Sequence, residues 1–416
     1  MVLERILSSL VKKGDLTVTD WNGRTLRYGD GNFPKSHIKF ESAAAARHMA
    51  IDPDLYLGES YMDGSLKILN GTIADFLHIA MQNAGTNNYH PVHRALGRAR
   101  MALRRIHQHN PVGKAKDNVA HHYDLSGAIY DLFLDRDRQY SCAYFETKNS
   151  TLEDAQLAKK RHLAAKLDIK PGMKVLDIGS GWGGMGLYLA EVCGAEVTGV
   201  TLSEEQFRLS NDRALQRGVK GQTQFLLKDY RELDGPFDRI VSVGMFEHVG
   251  IGHFPEFFAK VSTLLKDDGA AVLHSINRSN GPGATSAWIK KYIFPGGYVP
   301  ALSEVLPHIE HAGLYVTDIE ILRLHYAETL KKWGHRFAAN RDKAAEIYDE
   351  RFCRMWEFYL AASQMAFRYS GMNNFQIQFG KEQNVLPLTR DYIHEQENQL
   401  RKIEAKTPFL KMVGTA

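Results

Sequence analysis

The stretch Lys174–Gly184, with the sequence KVLDIGSGWGG, decides the fold prediction for this chain. A short apolar run ends at an acid, a glycine cluster follows, and a helix-compatible segment begins at Met185. This pattern predicts a strand, a tight turn and a helix start, with glycines where the backbone adopts a positive φ and approaches a ligand closely. A glycine turn after a strand is weak evidence alone, because many α/β folds use one.

The residues around this turn narrow the class of ligand. A dinucleotide-binding fold has an acid about 20 residues after the glycines, but Gly199 and Val200 occupy that neighbourhood here. The sequence has no Gly-Lys-Ser/Thr motif, which argues against a phosphate-binding P-loop. Asp177, just before Gly179, suits a ligand with a positive end. S-adenosylmethionine (SAM) has an ammonium and a sulfonium but no phosphate, so the sequence favours SAM; the alternative is a turn that binds nothing.

Composition sets the broad class of the protein. The chain has 416 residues, enough for two domains, and is 44% hydrophobic and 24% charged, as in ordinary soluble proteins. It has no apolar run near the roughly 20 residues of a membrane-spanning helix and no signal-peptide pattern at its N-terminus. Three cysteines indicate a reducing compartment without a disulfide framework. A net charge of +4 is too small to indicate a nucleic-acid partner.

Alternating strands and helices begin at Lys174 and predict a parallel sheet with right-handed crossovers. The predicted strands are Lys174–Ile178, Glu196–Val200, Thr223–Leu227, Arg239–Val243, Ala270–His274 and Val316–Leu322. Helices are predicted at Ser203–Arg217, where Ser203 and Gln206 form a capping box, and at Phe254–Leu265. Ligands of such sheets bind beyond the carboxyl ends of the strands. The chain beyond Tyr326 is predicted to be helical.

Residues 1–110 are predicted to form a separate, small α+β domain, and residues 111–416 the catalytic domain. Short β-type runs between Leu16 and Phe40 are broken by turn signals, and helical patches follow. The segment His93–His109 then interleaves five arginines with apolar residues. It is interpreted either as a surface helix attracted to anionic phospholipid or as a solvated helix between domains.

Two aromatic segments flank the predicted ligand cleft. Residues 118–145 are interpreted as a helical lid over the cleft; His121 and His122 within it lack the spacing of a zinc site, so no metal is expected. The insert 277–300 carries Trp288 and three other aromatic residues. It suits a long apolar substrate, and its alternative role is ordinary packing.

Several motifs together resemble those of the cyclopropane-fatty-acyl-phospholipid synthases and their mycolic-acid relatives, over about residues 118–370. The motifs are Tyr140–Phe145 (YSCAYF), Val175–Gly184, Thr201–Ser203, Gly244–Gly250, His274–Ile276 and Tyr292–Gly297 (YIFPGG). The resemblance implies a Rossmann-like class I SAM methyltransferase sheet with a helical lid and insert. The additional N-terminal domain is similar to that of the longer, phospholipid-acting branch of the family.

The resemblance also implies a small anion site in which bicarbonate acts as the base. Its ligands, carried over by motif, would be Cys142, Glu247, His274, the backbone of Ile276, and Tyr326. All five are present in this chain. Glu247 is expected to fix the tautomer of His274, as carboxylates do for other functional imidazoles.

The contacts expected for SAM come from the same motifs. Asp177 is expected to face the methionine amine, with Thr201 and Gln206 near the ribose. The other expected SAM contacts are Tyr140, Ser141, the backbone of Gly179 and Gly181, and Asp229 and Tyr230 near the adenine.

The resemblance implies that the protein transfers a methylene from SAM to the cis double bond of unsaturated phospholipid acyl chains. The alternatives are a SAM-dependent methyltransferase that makes methyl-branched lipid or N-methylates a small amine, and a non-enzymatic lipid carrier. The expected setting is the cytoplasm, with transient binding to the inner face of the membrane, and the expected assembly is a homodimer.

Overall fold

The computed structural model describes residues 2–85, 100–101 and 127–407, and the helices and strands below are numbered along these residues. They pack as two compact units. The first takes its residues from Met1–His107, Gly283–Pro295 and Ala327–Met372, and the second from Gln108–Pro282, Gly296–Tyr326 and Asn373–Ala416. The first unit therefore combines the N-terminal part of the chain with two later segments.

The first unit contains a four-stranded sheet in the order β2-β1-β3-β4. Its strands are β1 Asp15–Thr19, β2 Thr25–Gly29, β3 Lys35–Phe40 and β4 Leu66–Asn70. β1 pairs antiparallel with β2 and parallel with β3, and β3 pairs antiparallel with β4. Gly23, at φ +85°, makes the turn between β1 and β2 where the sequence predicted one. β4 was not predicted, since only Leu66 in it is buried.

Helices cover the rest of the first unit. They are α1 Val2–Leu10, α2 Ala43–Ile51, α3 Pro53–Met62, α4 Ile73–Ala84, α10 Ala287–Tyr292, α12 His325–Ala339, α13 Arg341–Ile347 and α14 Glu350–Tyr369. α10, from the aromatic insert, packs on α3, where the Trp288 ring lies against Gly58 and leaves no room for a Cβ atom there. Trp288 is thus a core residue of this unit.

The second unit contains a seven-stranded sheet in the order β10-β11-β9-β8-β5-β6-β7. Its strands are β5 Lys174–Ile178, β6 Glu196–Thr201, β7 Thr223–Leu227, β8 Phe237–Val243, β9 Leu265–Arg278, β10 Tyr315–Ile321 and β11 Met372–Gly380. The pairs among β5, β6, β7, β8 and β9 are parallel, and β10 pairs antiparallel with β11. The chain order reverses at β5, between β6 and β8, and such a switch point opens a crevice for a ligand.

The helices of the second unit bury its central strands. They are α5 Gly127–Asp131, α6 Leu152–Lys166, α7 Gly184–Cys193, α8 Glu204–Gln216, α9 Phe254–Leu264, α11 Leu302–His311 and α15 Asp391–Glu404. α6 is buried along most of its length although it contains the run Lys159 to His162. Two of its basic residues have acidic partners on α15: Arg161 pairs with Glu404, and His162 Nδ1 lies 2.7 Å from Glu397 Oε1.

Several predicted elements need correction. β11 was expected to be helical, but its polar side chains, such as Gln376 and Gln378, are buried between β9 and β10 and hydrogen-bonded there. Only half of the predicted capping box forms, because Gln206 Oε1 accepts from Thr201 Oγ1 at 2.7 Å instead of turning back to Ser203. Within the predicted lid, helix is present at α5, and residues 132–145 are turns and irregular chain.

Some sequence predictions fall outside the described residues. These include His121, His122 and all of the arginine-rich segment except Arg100 and Met101. Arg100 is ion-paired with two acids, Asp52 at 2.5 Å and Asp54 at 2.6 Å. Among the described residues, no helix combines the length and the apolar character needed to cross a bilayer.

Candidate active site

The glycine turn after β5 has the backbone shape that the sequence predicted. Gly179 has φ +79° and Gly181 has φ +53°. A Cβ atom on Gly179 would lie 2.6 Å from the side chain of Met245, whereas a Cβ on Gly181 would project into open space. The amides of Gly179 and Ser180 both donate to Val200 O, which ties the turn to the end of β6. The turn therefore exposes backbone to the crevice at the switch point.

A cleft lies at this crevice, beyond the carboxyl ends of β5, β6, β7 and β8. All nine residues predicted to contact SAM line it: Tyr140, Ser141, Asp177, Gly179, Gly181, Thr201, Gln206, Asp229 and Tyr230. The cleft wall also includes Trp182, Met245 and His248, which the sequence did not assign to a ligand. The structure thus brings the predicted residues together, while their roles toward a ligand stay a prediction.

Asp177 is the best-placed group for a cation in this cleft. Its side chain is buried, and Oδ2 has no hydrogen-bond partner among the described residues. Burial raises the pKa of Asp177 to about 7, because a carboxylate without a counter-charge is unfavourable in the interior. A bound ammonium would reverse this penalty, so Asp177 fits the amine of SAM.

Asp229 and Tyr230 form the opposite end of the cleft. Both carboxylate oxygens of Asp229 accept from Arg231, at 2.9 Å from Nε and 2.7 Å from Nη2. The ring of Tyr230 packs edge-on against Phe257, with the ring centroids 5.5 Å apart. Asp229 is thus held by a bidentate pair, a geometry that fixes a carboxylate firmly. The charge of Asp229 is therefore balanced by Arg231 where it borders the cleft.

Glu247 lies beside the cleft, in the loop that follows β8. Its Oε1 accepts from the Ile276 amide at 2.7 Å, and Oε2 is buried with no partner among the described residues. Burial raises the pKa of Glu247 to about 7. Near neutral pH this carboxyl can therefore hold a proton on the side that has no protein partner, and can donate it to an anion.

His274 is held differently from the prediction. Its Nδ1 lies 3.2 Å from Gln376 Nε2 and its Nε2 lies 3.5 Å from Asn374 Nδ2, both on β11. The expected contact with Glu247 is wrong. Burial lowers the pKa of His274 to about 3, so the imidazole is neutral. A neutral ring has one donor and one acceptor, so one of the two amides must present its oxygen to the ring.

The residues predicted to bind bicarbonate are linked to the cleft through short backbone contacts. The amide of Gly244, which lines the cleft, donates to His274 O at 2.9 Å. Cys142 follows the cleft residue Ser141 and is fully buried. Tyr326, also buried, lies in the first turn of α12, where the neighbouring His325 Nδ1 accepts from the Phe145 amide at 2.9 Å.

A backbone bond also brings the start of α12 to β11. The Leu322 amide donates to Asn374 O at 2.8 Å, and the Asn374 side chain faces His274. The five predicted base residues thus come from segments that contact one another. Sequence reasoning missed Asn374 and Gln376, and the available signal was the period-2 pattern of buried apolar residues along β11.

The described residues contain no group of three or more His, Cys, Asp or Glu side chains arranged to hold a metal ion. Cys142, Cys193 and Cys353 are buried, and none of them forms a disulfide.

Comparison with known proteins identifies the family. A family model described as mycolic acid cyclopropane synthetase matches residues 111–377, and one described as a domain of unknown function matches residues 2–90. The chain is 38% identical over 354 residues to the cyclopropane-fatty-acyl-phospholipid synthase of Escherichia coli K12, which covers 85% of this chain and 89% of that one. The chain belongs to the cyclopropane synthase family.

Other members and neighbours of the cyclopropane synthase family widen the comparison. A probable fatty acid methyltransferase of Pseudomonas putida is 40% identical over 285 residues, 66% of this chain and 72% of that relative. The structure of mycolic acid cyclopropane synthase CmaA1 with SAH and CTAB superposes with a TM-score of 0.60 and 34% identity, over 64% of this chain and 97% of that chain. The present chain is accordingly a SAM-dependent methyltransferase with the predicted α/β fold, and both predictions are confirmed.

Proposed function

We propose that this protein transfers a methylene from SAM to the cis double bond of an unsaturated phospholipid acyl chain and so forms a cyclopropane ring. The observation that carries the proposal is the buried Glu247 carboxyl, with one oxygen bound to the Ile276 amide and the other without a protein partner. Simple transfer to an amine needs no such site, because no proton has to leave a carbon atom.

On the donor side, the residues of the cleft would bind and orient SAM. SAM supplies an electrophilic methyl group, because its sulfur is positively charged. Asp177 would accept from the methionine ammonium, and the Thr201–Gln206 pair would face the ribose. The exposed backbone at Gly181 leaves space for close approach of the ligand.

On the base side, bicarbonate fits the donors that the chain provides. Glu247, in its protonated form, would donate to the anion from the oxygen without a protein partner. His274 would accept from Gln376 at Nδ1 and donate to the anion from Nε2, in place of its longer, 3.5 Å contact with the Asn374 amide. Cys142, the backbone of Ile276, and Tyr326 would complete the set. The anion would take the proton that the transferred methyl group loses as its carbon closes the ring.

The ring closure also needs an environment without water, because water would trap the positive carbon on the acyl chain as an alcohol. Tyr140 lines the cleft and packs edge-on against Tyr130 and Phe133. An aromatic face near that carbon would stabilise it by about 0.5–2 kcal/mol.

A second candidate function is methyl branching of a fatty acyl chain without ring closure. It is favoured by the 40% identity to a relative named as a probable fatty acid methyltransferase. A saturated methyl branch also needs a hydride donor, such as a reduced nicotinamide, to quench the cation left by methyl transfer, so the assay is run with and without one. The two products differ by two hydrogens, so mass analysis of the acyl chains separates them.

The decisive experiment is incubation of the protein with SAM and vesicles of unsaturated phospholipid, with and without bicarbonate. We expect cyclopropane acyl chains, formed several-fold faster when bicarbonate is present. A saturated methyl branch as the product would replace the proposal by the second candidate. An unmodified lipid pool, with SAM bound, would remove both.

The substrate lies in a bilayer, so we also propose transient binding to the membrane surface, a cytoplasmic location and a homodimer. We propose further that residues 1–110 act as the lipid-associated domain and residues 111–416 as the catalytic domain. Replacing Arg94, Arg98 and Arg104 by Glu should weaken binding to anionic vesicles far more than binding of SAM. Equal vesicle affinity in the variant and the parent chain would assign the membrane contact to another surface.

A further inference from the structure

Lys159 is a buried cation with an unusual set of partners. Its side chain is fully buried on α6, and Nζ donates to Ser141 Oγ and to Gln139 Oε1, both at 2.7 Å. Within the described parts of the chain, no carboxylate lies within 4.0 Å of this ammonium. A buried charge without an ion-pair partner is costly, and burial lowers the pKa of Lys159 to about 8. Groups with such a cost are often found at functional sites.

Both partners of Lys159 belong to the wall of the SAM cleft. Gln156, one turn earlier on α6, supports the same segment from below: its Nε2 donates to Ser141 O at 2.9 Å and to Gln139 O at 3.3 Å. One turn of α6 thus holds the backbone and the side chains of residues 139 and 141 together. These four hydrogen bonds fix the position of this part of the cleft wall.

The contact with Lys159 determines what the Ser141 hydroxyl can do. An ammonium group has only donors, so Ser141 Oγ must accept from it. The hydroxyl keeps its own hydrogen for a different acceptor, and the adjacent positive charge makes that hydrogen a stronger donor. Because Ser141 lines the cleft, the acceptor can be a ligand atom.

The chemistry of the ligand then indicates which atom this is. The amino-acid end of SAM has an ammonium and a carboxylate. Asp177 provides a negative group for the ammonium but repels the carboxylate, which therefore needs donors elsewhere. The Lys159–Ser141 pair supplies a donor and a positive field in the same cleft wall.

We propose that Lys159 is a positioning residue that acts through Ser141 to bind the carboxylate of SAM. This inference rests on the proposed SAM site and adds to it a residue that does not touch the ligand. It does not depend on which lipid is modified or on whether a ring is formed.

The test compares two ligands by titration calorimetry without lipid. One is S-adenosylhomocysteine (SAH); the other is S-adenosyl-3-thiopropylamine, which has the ammonium but lacks the carboxylate. Lys159→Met should weaken SAH binding about tenfold or more, as expected for a lost charge-assisted hydrogen bond. It should change binding of the amine analogue by less than about twofold. Equal weakening of both ligands, or of neither, would overturn the proposal.

The matched control is Lys160→Met, on the next residue of α6. Lys160 is also buried, but its Nζ donates to Asp137 at 2.6 Å instead of Ser141. This variant should leave the ratio of the two affinities unchanged, whatever it does to stability. A shift of the ratio equal to that of Lys159→Met would mean that loss of any cation from α6 has this effect.

A double-mutant cycle tests the route through Ser141. Ser141→Ala alone should reproduce the selective loss of SAH affinity, and this variant serves the test if Lys159→Met does not fold. Adding Lys159→Met to Ser141→Ala should cost little further SAH affinity, and fully additive losses would contradict the route. Failure of the proposed function gives a different result. A chain that shows these binding changes but leaves the lipid alkenes unmodified would contradict the proposed lipid reaction and not the role of Lys159.

Discussion

The Ile276 amide donates to one oxygen of the Glu247 carboxyl at 2.7 Å, and the other oxygen is buried without a partner in the described structure. The bond orients the carboxyl, while the second oxygen is left for something that is not protein. Buried polar atoms are nearly always satisfied in folded proteins. This pair therefore indicates where a small ligand would complete the interior of the enzyme.

The first prediction concerns turnover. Glu247→Gln keeps an acceptor for the Ile276 amide but removes the carboxyl that could hold and donate a proton. We expect turnover to fall by about a hundredfold, while SAH affinity stays within about twofold to threefold. Initial rates with vesicle substrate and calorimetry with SAH measure the two quantities. Parallel losses in both would mean that Glu247 acts mainly as a structural residue.

The second prediction concerns stability against pH. The pKa of Glu247 is raised from 4.5 to about 7 in the folded chain. Below pH 4.5 the carboxyl is protonated in both the folded and the unfolded state, and above pH 7 the folded state must bury a carboxylate. Glu247 therefore lowers the free energy of unfolding progressively as pH rises from 4.5 to 7.

Glu247→Gln removes this titration, so its loss of stability between pH 5 and pH 8 should be smaller than that of the parent chain. The difference is on the order of 3 kcal/mol at most, the equivalent of the whole pKa shift. Urea denaturation without SAM at the two pH values provides the measurement. Identical pH dependence in both chains would refute the assignment.

The third prediction concerns the His274 ring. Gln376→Leu removes its nearest amide partner and should lower turnover about tenfold or more through a misoriented imidazole. The control is Gln378→Leu, two residues along β11, where the amide donates to Tyr392 Oη at 2.7 Å and not to His274. We expect this control to lose stability but little turnover. Similar turnover in the two variants would argue against a tautomer role for Gln376.

The fourth prediction gives Asp177 opposite effects on binding and stability. Asp177→Asn removes the charge that we propose faces the SAM ammonium, so SAH affinity should fall about tenfold or more. Without ligand the same change removes an uncompensated buried carboxylate, so the free energy of unfolding at pH 8 should rise. Binding of 5′-methylthioadenosine, which lacks the amino-acid end, serves as the control and should not change. A variant that loses stability and both affinities would point to simple disruption of the turn.

The parallel strands β5 to β9 and the glycine turn followed from sequence because both depend on local pattern, whereas β10, predicted in the same parallel sheet, pairs antiparallel with β11. Val175, Leu176 and Ile178 give a buried strand, and Gly179 and Gly181 adopt the positive φ angles that the turn demanded. Six of the nine predicted cleft residues lie at or just after the carboxyl ends of β5, β6 and β7, which a parallel sheet brings to one edge. The other three are Tyr140 and Ser141, in the irregular segment after α5, and Gln206 in α8, and these were found through the family motifs or as neighbours of Thr201.

The errors arose where tertiary contacts override local pattern. The chain beyond Tyr326 was predicted to be helical, but β11 is a strand covered on both faces, and the amides of Gln376 and Gln378 are buried in it. Lys159 was assigned no role from the sequence, since only the folded chain reveals Ser141 and Gln139 as its partners. A buried polar residue cannot be recognised from sequence when its partners are distant along the chain.

Helix α6 carries Lys159 toward the SAM cleft and, two and three residues later, offers Arg161 and His162 to acids of α15. Helix α15 is thus linked to the SAM cleft through α6, because both sets of contacts are made by the same helix. Deleting α15 would remove one of the two acidic partners of each group and leave only Glu146 for Arg161 and Glu320 for His162. Versions of the enzyme shortened before α15 would then lose affinity for the methyl donor although no residue that lines the cleft has been changed.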